Sequence, residues 1–173
     1  MSASGILPYA DSYWVIPESF MAGEYPGGYE EETTRRRCNA LIQSGVNSII
    51  DLTRTGDAAY LYGSILQEEA AFHHQTITRK NYPISDFGTP TRWQMNEILD
   101  MIDSEIAQGK VVYVHCLAGI GRTGTVVGCY LVRHGFKGNA ALEHLAALRS
   151  GTSNWWRRSP ENQAQVDFII NWQ

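Results

Sequence analysis

The chain has 173 residues and a net charge of −4, and 43% of its residues are hydrophobic and 11% aromatic. This length and composition predict a single domain, residues 1–173, with enough apolar side chains to build a core. The acidic balance argues against nucleic acid as a partner, which requires a clustered basic face. No apolar run approaches the roughly 20 residues of a membrane span, and residues 1–11 lack the regions of a signal peptide. We therefore expect a cytoplasmic protein with no membrane partner.

Hydrophobic periodicity predicts strands and helices that alternate along the chain. Strands are expected at 13–16, 20–24, 46–52, around 76–78 and at 111–114, and helices at 30–44, 58–72, 91–107, 122–134, 139–149 and 160–172. This alternation indicates an α/β fold with a central, largely parallel sheet flanked by helices. A ligand of such a sheet binds beyond the carboxyl ends of the strands.

A glycine-rich segment joins the last predicted strand to the following helix. It reads His115-Cys116-Leu117-Ala118-Gly119-Ile120-Gly121-Arg122-Thr123. A chain that curls through Gly119 and Gly121 points successive backbone N–H groups into one concavity, and the helix N-terminus adds further N–H groups. Residues 117–122 are therefore predicted to bind a phosphate group.

The cysteine and the arginine of this segment supply the predicted chemistry. The planar guanidinium of Arg122 holds two phosphate oxygens at once. The same positive field favours the thiolate form of Cys116, which is then a nucleophile toward phosphorus. We expect His115 to bond the local backbone and shape the turn, and the Thr123 hydroxyl to donate to the sulfur. The alternative, a buried cysteine in an ordinary strand-to-helix turn, leaves Arg122 unexplained.

The segment resembles the signature His-Cys-x5-Arg-Ser/Thr of the cysteine-based protein tyrosine phosphatase superfamily, and the chain is most similar to its compact dual-specificity branch. Weaker similarity lies in Ala22-Gly23-Glu24-Tyr25-Pro26-Gly27, in Ile49-Ile50-Asp51-Leu52-Thr53 and from Ser159-Pro160-Glu161 to Phe168. The resemblance implies a single catalytic domain that hydrolyses phosphate monoesters through a cysteinyl-phosphate, with no metal and no cofactor.

Breaking the ester bond requires an acid that protonates the leaving group, and the glycine-rich segment contains no carboxylate. Asp86 lies in a loop punctuated by proline and glycine ahead of a predicted helix, which suits a mobile flap. In the family, an aspartate about thirty residues before the cysteine has this role. The alternative is a solvated or helix-capping aspartate. Asp57, Asp100 and Asp103 are weaker candidates.

Hydrolysis of the cysteinyl-phosphate requires a water molecule placed in line with the P–S bond. An amide side chain suits this task because it both donates and accepts hydrogen bonds. The spacing to Phe168 in the family favours Gln165, with Gln163 as the alternative. Ser159 is expected to cap the last helix, with Pro160 as its first residue.

The sequence favours a phosphorylated protein as the substrate. Leu117, Ala118 and Ile120 are uncharged, whereas relatives that cleave phosphoinositides often carry lysines at such positions. A short chain leaves little room for loops that deepen the pocket for phosphotyrosine alone, so phosphoserine and phosphothreonine are expected as well. The alternatives are a phosphoinositide, an RNA 5′-phosphate, or a module that binds phosphoresidues without catalysis.

Two further features are interpreted from residue type. Cys38 and Cys129 are expected to lie in the core. The alternative is that one of them protects Cys116 through a reversible disulfide. Trp155-Trp156 is predicted to be a packing anchor or a loop cover rather than a binding platform.

Overall fold

A computed structural model describes residues 5–173 of the chain. Residues 1–4 lie outside the described part, so the predicted domain 1–173 and the segment 1–11 are described only from residue 5 onward. Among the described residues, no helix is both long and apolar enough to cross a membrane.

Within residues 5–173, five strands form one sheet: β1 (Ser12–Ile16), β2 (Phe20–Gly23), β3 (Ser48–Asp51), β4 (Thr78–Asn81) and β5 (Val112–His115). Their order is β1-β2-β5-β3-β4, and every neighbouring pair is parallel except β1 and β2. The predicted α/β fold with a largely parallel sheet is confirmed. In this register Gly23, Asp51 and His115 stand side by side at the carboxyl ends of three neighbouring strands.

In the described part of the chain, six helices flank the sheet: α1 (Glu31–Gln43), α2 (Gly63–Phe72), α3 (Arg92–Ala107), α4 (Arg122–Arg133), α5 (Gly138–Leu148) and α6 (Gln163–Ile170). Side chains alternate across each strand. On β5, Val112 and Val114 therefore join the core beneath α3 to α6, whereas Tyr113 joins the core beneath α1 and α2. Both faces of the sheet are thus covered.

Several predicted boundaries differ from the structure. The second helix begins at Gly63 rather than at residue 58, so residues 58–62 are irregular. The fourth strand in the chain lies at 78–81 instead of 76–78, and all four of its side chains are exposed, so no apolar pattern marks it. The last helix begins at Gln163, where the side chain of Asn162 caps it. Ser159 is not its cap, because the Ser159 hydroxyl donates to the Ile120 carbonyl (2.6 Å).

Candidate active site

The glycine-rich segment forms a tight loop between β5 and α4. Gly119 has a φ of +74°, and a Cβ there would lie 2.5 Å from the carbonyl carbon of Gly23, so only glycine fits. Among the described residues, none of the N–H groups from residue 117 to residue 121 donates a hydrogen bond. Free amides in a loop at a helix N-terminus are what an anion site requires. Leu117 and Ala118 are exposed, whereas residues 119–121 are buried.

The structure brings Cys116 and Arg122 together at this loop. Cys116 follows directly after β5 and is 3% exposed, and Arg122 is the first residue of α4 and is 2% exposed. The Nη1 group of Arg122 donates to the Asp57 carboxylate and to the Ile84 carbonyl (3.0 Å). Within the described part of the chain, its Nε group donates no hydrogen bond. One edge of the guanidinium is thus anchored. On the other edge Nη2 lies 3.3 Å from the Asp86 carboxylate, and Nε and Nη2 together can bind two phosphate oxygens.

His115 is fully buried beneath the loop. Its Nδ1 atom lies 2.9 Å from the carbonyl oxygen of Cys116, as the sequence predicted for a residue that shapes the turn. Its Nε2 atom lies 2.7 Å from the Tyr62 hydroxyl and 3.8 Å from Asp51. Burial lowers the pKa of His115, although the negative charge of Asp51 acts in the other direction and raises it. A neutral imidazole here fixes the backbone at the cysteine without adding a charge.

The Thr123 hydroxyl is buried and has no hydrogen-bond partner among residues 5–173. The predicted hydrogen bond from this hydroxyl to the Cys116 sulfur is therefore not present in the structure. A buried hydroxyl without a partner is costly, so Thr123 adds an unpaired donor to the free amides of the loop.

Asp86 lies on an exposed loop at the mouth of the site. Its carboxylate is half exposed and lies 3.3 Å from Nη2 of Arg122. Phe87, the next residue, has a φ of +59°, which is unusual for a bulky side chain. The Phe87 carbonyl accepts a hydrogen bond from Asn162 at the N-terminus of α6 (2.8 Å). A phosphate held by Arg122 would stand directly beside this carboxyl group.

The two glutamine candidates occupy different environments. Gln165 is fully buried; its Nε2 donates to the carbonyl of Gly88 in the Asp86 loop (3.2 Å), and its Oε1 accepts from the Glu161 amide (3.1 Å). Gln163 is exposed and donates to Asp167 one turn further along α6 (2.7 Å). Of the two, Gln165 is the one that contacts the Asp86 loop.

Sequence reasoning missed two carboxylates at the site. Asp57, a weak candidate for the acid, pairs with the guanidinium of Arg122 and also accepts from the Arg54 amide (2.9 Å). The Glu161 carboxylate packs against Gly121. A Cβ added to Gly121 would lie 2.0 Å from Oε1 of Glu161. No motif identifies Asp57, because it lies directly before the predicted helix 58–72 in a segment that is irregular in the structure. Glu161 lay within a segment already noted for its resemblance to the family.

The other two cysteines are free and buried. Burial raises the pKa of Cys38 to about 12, and it also raises the pKa of Cys129. Cys38 belongs to the core under α1 and α2, whereas Cys116 and Cys129 border the core on the opposite face of the sheet. A redox role for either cysteine stays a prediction.

Comparisons with known proteins agree with this geometry. A family model described as "Polymorphic toxin system, DSP-PTPase phosphatase" matches residues 26–136. The mouse "Dual specificity protein phosphatase CDC14B" is 32% identical over 146 residues, which are 80% of this chain and 27% of that protein. The "Phosphatidylglycerophosphate phosphatase PTPMT2" of Arabidopsis thaliana is 31% identical over 116 residues, 66% of this chain and 48% of that protein.

Solved structures share the fold at lower sequence identity. "Tk-PTP in the active form" superposes with a TM-score of 0.69 at 21% identity, covering 92% of this chain and 93% of that chain. "PTPMT1 in complex with PI(5)P" gives a TM-score of 0.70 at 19% identity, covering 93% of each chain. The chain spans about a quarter of the length of the CDC14 relatives that it matches.

A largely parallel sheet places a cysteine at the start of a loop of free amides, and a buried arginine lies at the end of that loop. This arrangement is typical of a cysteine-based phosphatase. The chain belongs to the dual-specificity (DSP-PTPase) family within the cysteine-based protein tyrosine phosphatase superfamily.

Proposed function

We propose that the protein hydrolyses phosphotyrosine, and also phosphoserine and phosphothreonine, in protein substrates. The observation that carries the proposal is the convergence of Cys116, Arg122 and Asp86 on one loop of free amides. The exposed positions Leu117 and Ala118 and the short loop that bears Asp86 support an open pocket, which admits short side chains as well as tyrosine. Because Leu117, Ala118 and Ile120 carry no charge, the loop suits a monophosphate.

The proposed reaction has two steps. First, the Cys116 thiolate attacks phosphorus and the P–O bond to the substrate breaks, while Asp86 donates its proton to the departing oxygen. The loop amides and the Nε–Nη2 edge of Arg122 hold the other phosphoryl oxygens and stabilise their charge. Second, water attacks the cysteinyl-phosphate, Asp86 accepts the proton, and the P–S bond breaks to release phosphate and the thiolate.

The remaining side chains act around this reaction. Gln165 is proposed to hold the attacking water, and Thr123 to donate its unpartnered hydroxyl to the sulfur as the P–S bond breaks. His115 fixes the backbone carbonyl of Cys116. No step draws on a metal ion. Because a thiolate persists only where disulfides are kept reduced, we also propose a cytoplasmic location.

Turnover of p-nitrophenyl phosphate in EDTA by the parent, Cys116→Ser and Asp86→Ala tests this mechanism. We expect no turnover by the serine variant and about a 10²- to 10⁴-fold loss for the alanine variant. Retained activity in Cys116→Ser, or activity lost on chelation, would contradict it. Phosphopeptides that carry each phosphoresidue then test the substrate.

A phosphorylated lipid is the second candidate. It is favoured by the likeness to the Arabidopsis thaliana phosphatidylglycerophosphate phosphatase and by the shared fold of PTPMT1, whose structure holds PI(5)P. Turnover of phosphatidylglycerophosphate or phosphoinositide vesicles, with phosphopeptides inert, would select this candidate. An RNA 5′-phosphate is tested in the same panel. Tight phosphopeptide binding without phosphate release would indicate a binding module instead.

A further inference from the structure

Two adjacent tryptophans lie on the surface, in the loop between α5 and α6. Trp155 is 64% exposed and Trp156 is 71% exposed, so the predicted packing anchor is wrong, and a loop cover stays a prediction. Exposing two indole rings to water is unfavourable, and exposed aromatic side chains are enriched where proteins bind partners. The mechanism proposed above does not use either of them.

The loop that presents these rings is fixed by hydrogen bonds. The buried guanidinium of Arg149 donates to the carbonyl of Arg157 (2.9 Å) and to the side chain of Asn154 (2.7 Å). On the other side, Asp11 accepts from the amide of Asn154 (3.0 Å) and from the hydroxyl of Ser153 (2.6 Å). A loop that is already ordered loses little conformational entropy when a ligand binds.

The loop and the neighbouring helices α5 and α6 line an open groove of about 430 Å³, in the lower range for ligand clefts. Its apolar walls come from the tryptophans and from Leu142, Ala146 and Val166. Its charges come from the exposed side chains of Arg157 and Arg158, with Glu143 as the acidic residue of the lining. Arg149 also lines the groove, but its guanidinium is engaged by the loop. On a chain with a net charge of −4, this groove is locally basic.

Two residues that line the groove lie next to the phosphate-binding loop. Ser159 lines the groove, and its hydroxyl donates to the Ile120 carbonyl. Two residues further on, Glu161 packs against Gly121, and its carboxylate lies 4.0 Å from Arg157. The groove and the loop are thus neighbours through Ser159 and Glu161, and an extended peptide, which advances by about 3.3 Å per residue, is the kind of ligand that spans neighbouring sites.

We propose that the groove binds the segment of a phosphoprotein substrate that flanks the phosphoresidue, and that this segment carries aspartate or glutamate together with an apolar side chain. The acidic groups pair with the exposed arginines, and the apolar group packs on the indole rings. Charge complementarity on an otherwise acidic chain selects this occupant. The inference rests on the proposed phosphoprotein activity and specifies which phosphoproteins are preferred.

The test compares two phosphotyrosine peptides that differ only in their flank: one carries glutamates and a leucine, and the other carries glutamines and a serine. The variants are Arg158→Gln and the double variant Trp155→Ala/Trp156→Ala. Arg36→Gln and Trp93→Ala are matched controls, because both side chains are exposed on other helices. Arg157 is left intact because it also lies near Glu161.

We expect the parent to prefer the acidic peptide several-fold in kcat/KM. Arg158→Gln should lower kcat/KM for that peptide about 2- to 5-fold, and the double tryptophan variant about 10-fold, mainly through KM. Turnover of p-nitrophenyl phosphate should not change in either variant, which also verifies folding. The preference should shrink in 0.5 M NaCl, because exposed charge pairs are screened by salt.

Equal turnover of both peptides by the parent, or equal losses in the control variants, would overturn the groove assignment and leave the proposed activity intact. If neither peptide is hydrolysed while p-nitrophenyl phosphate is, the phosphoprotein activity fails and the groove proposal fails with it. A third arm uses vesicles of phosphatidylserine and phosphatidylcholine. Loss of vesicle binding in the tryptophan variant, with peptide turnover unchanged, would make the loop a membrane contact and also overturn the proposal.

Discussion

Replacing Asp57 tests whether the anchored edge of Arg122 orients the phosphate-binding edge. The Asp57 carboxylate receives a hydrogen bond from a guanidinium that is 2% exposed, and its own side chain is 17% exposed. A hydrogen bond to a charged group contributes about 1.5–3 kcal/mol net, and each 1.4 kcal/mol corresponds to a factor of ten. If this energy is lost from binding the phosphoryl group, kcat/KM falls roughly 10- to 150-fold.

Two variants separate the contribution of the Asp57 negative charge from that of its hydrogen bond with Arg122. Asp57→Asn keeps an acceptor oxygen and should lie near the lower end of that range, about tenfold, whereas Asp57→Ala should lie near the upper end. The assay is kcat/KM for p-nitrophenyl phosphate together with inhibition by inorganic phosphate, whose inhibition constant should rise in parallel. Asp100→Asn is the control, because Asp100 is largely exposed and pairs with Arg133 on the surface (2.7 Å).

The same pair has a pH signature. Burial by itself raises the pKa of Asp57, but the hydrogen bonds from Arg122 and from the Arg54 amide outweigh burial and lower this pKa. A lowered pKa in the folded state means that the pair stabilises the fold above about pH 4 and that this contribution disappears as the pH falls through the lowered pKa. The difference in unfolding free energy between the parent and Asp57→Asn should therefore narrow in acid. If Asp57→Ala retains kcat/KM within twofold of the parent, the orienting role is refuted.

Three further variants probe the rest of the site. Glu161→Gln removes a carboxylate beside the phosphate and should therefore lower KM for p-nitrophenyl phosphate roughly 2- to 5-fold at neutral pH. Burial and the nearby charge of Asp86 raise the pKa of Glu161. That difference should vanish as the pH falls and Glu161 itself becomes neutral; a pH-independent gap would contradict the reasoning. Gln165→Ala should slow kcat about tenfold and let the cysteinyl-phosphate accumulate in rapid-quench experiments, whereas equal effects from Gln163→Ala would remove the distinction between them. Gly119→Ala should cost at least about 100-fold in kcat/KM and lower the melting temperature, since its Cβ meets the Gly23 backbone; a normal variant would show that the loop is not tightly packed.

The sequence alone determined the class of chemistry. The spacing of Cys116, the two glycines and Arg122 has a physical reason, because a strand, a glycine turn and a helix N-terminus in that order form an anion site. The alternation of strand and helix patterns likewise predicted the sheet. These signals are local, so they can be read along the chain.

Tertiary structure decided which distant groups meet that loop. Asp57 lies in an irregular segment that resembles the beginning of a helix, yet the fold sets its carboxylate against Arg122. Gln165 and Gln163 are the same residue type, and the resemblance to the family only favoured Gln165. The packing of α6 shows which of the two contacts the Asp86 loop. The exposure of Trp155 and Trp156 could not be predicted from the sequence either, because a pair of aromatic residues is compatible with a core and with a surface. Contacts between residues far apart in the chain depend on how the helices pack on the sheet, and no local pattern encodes that geometry.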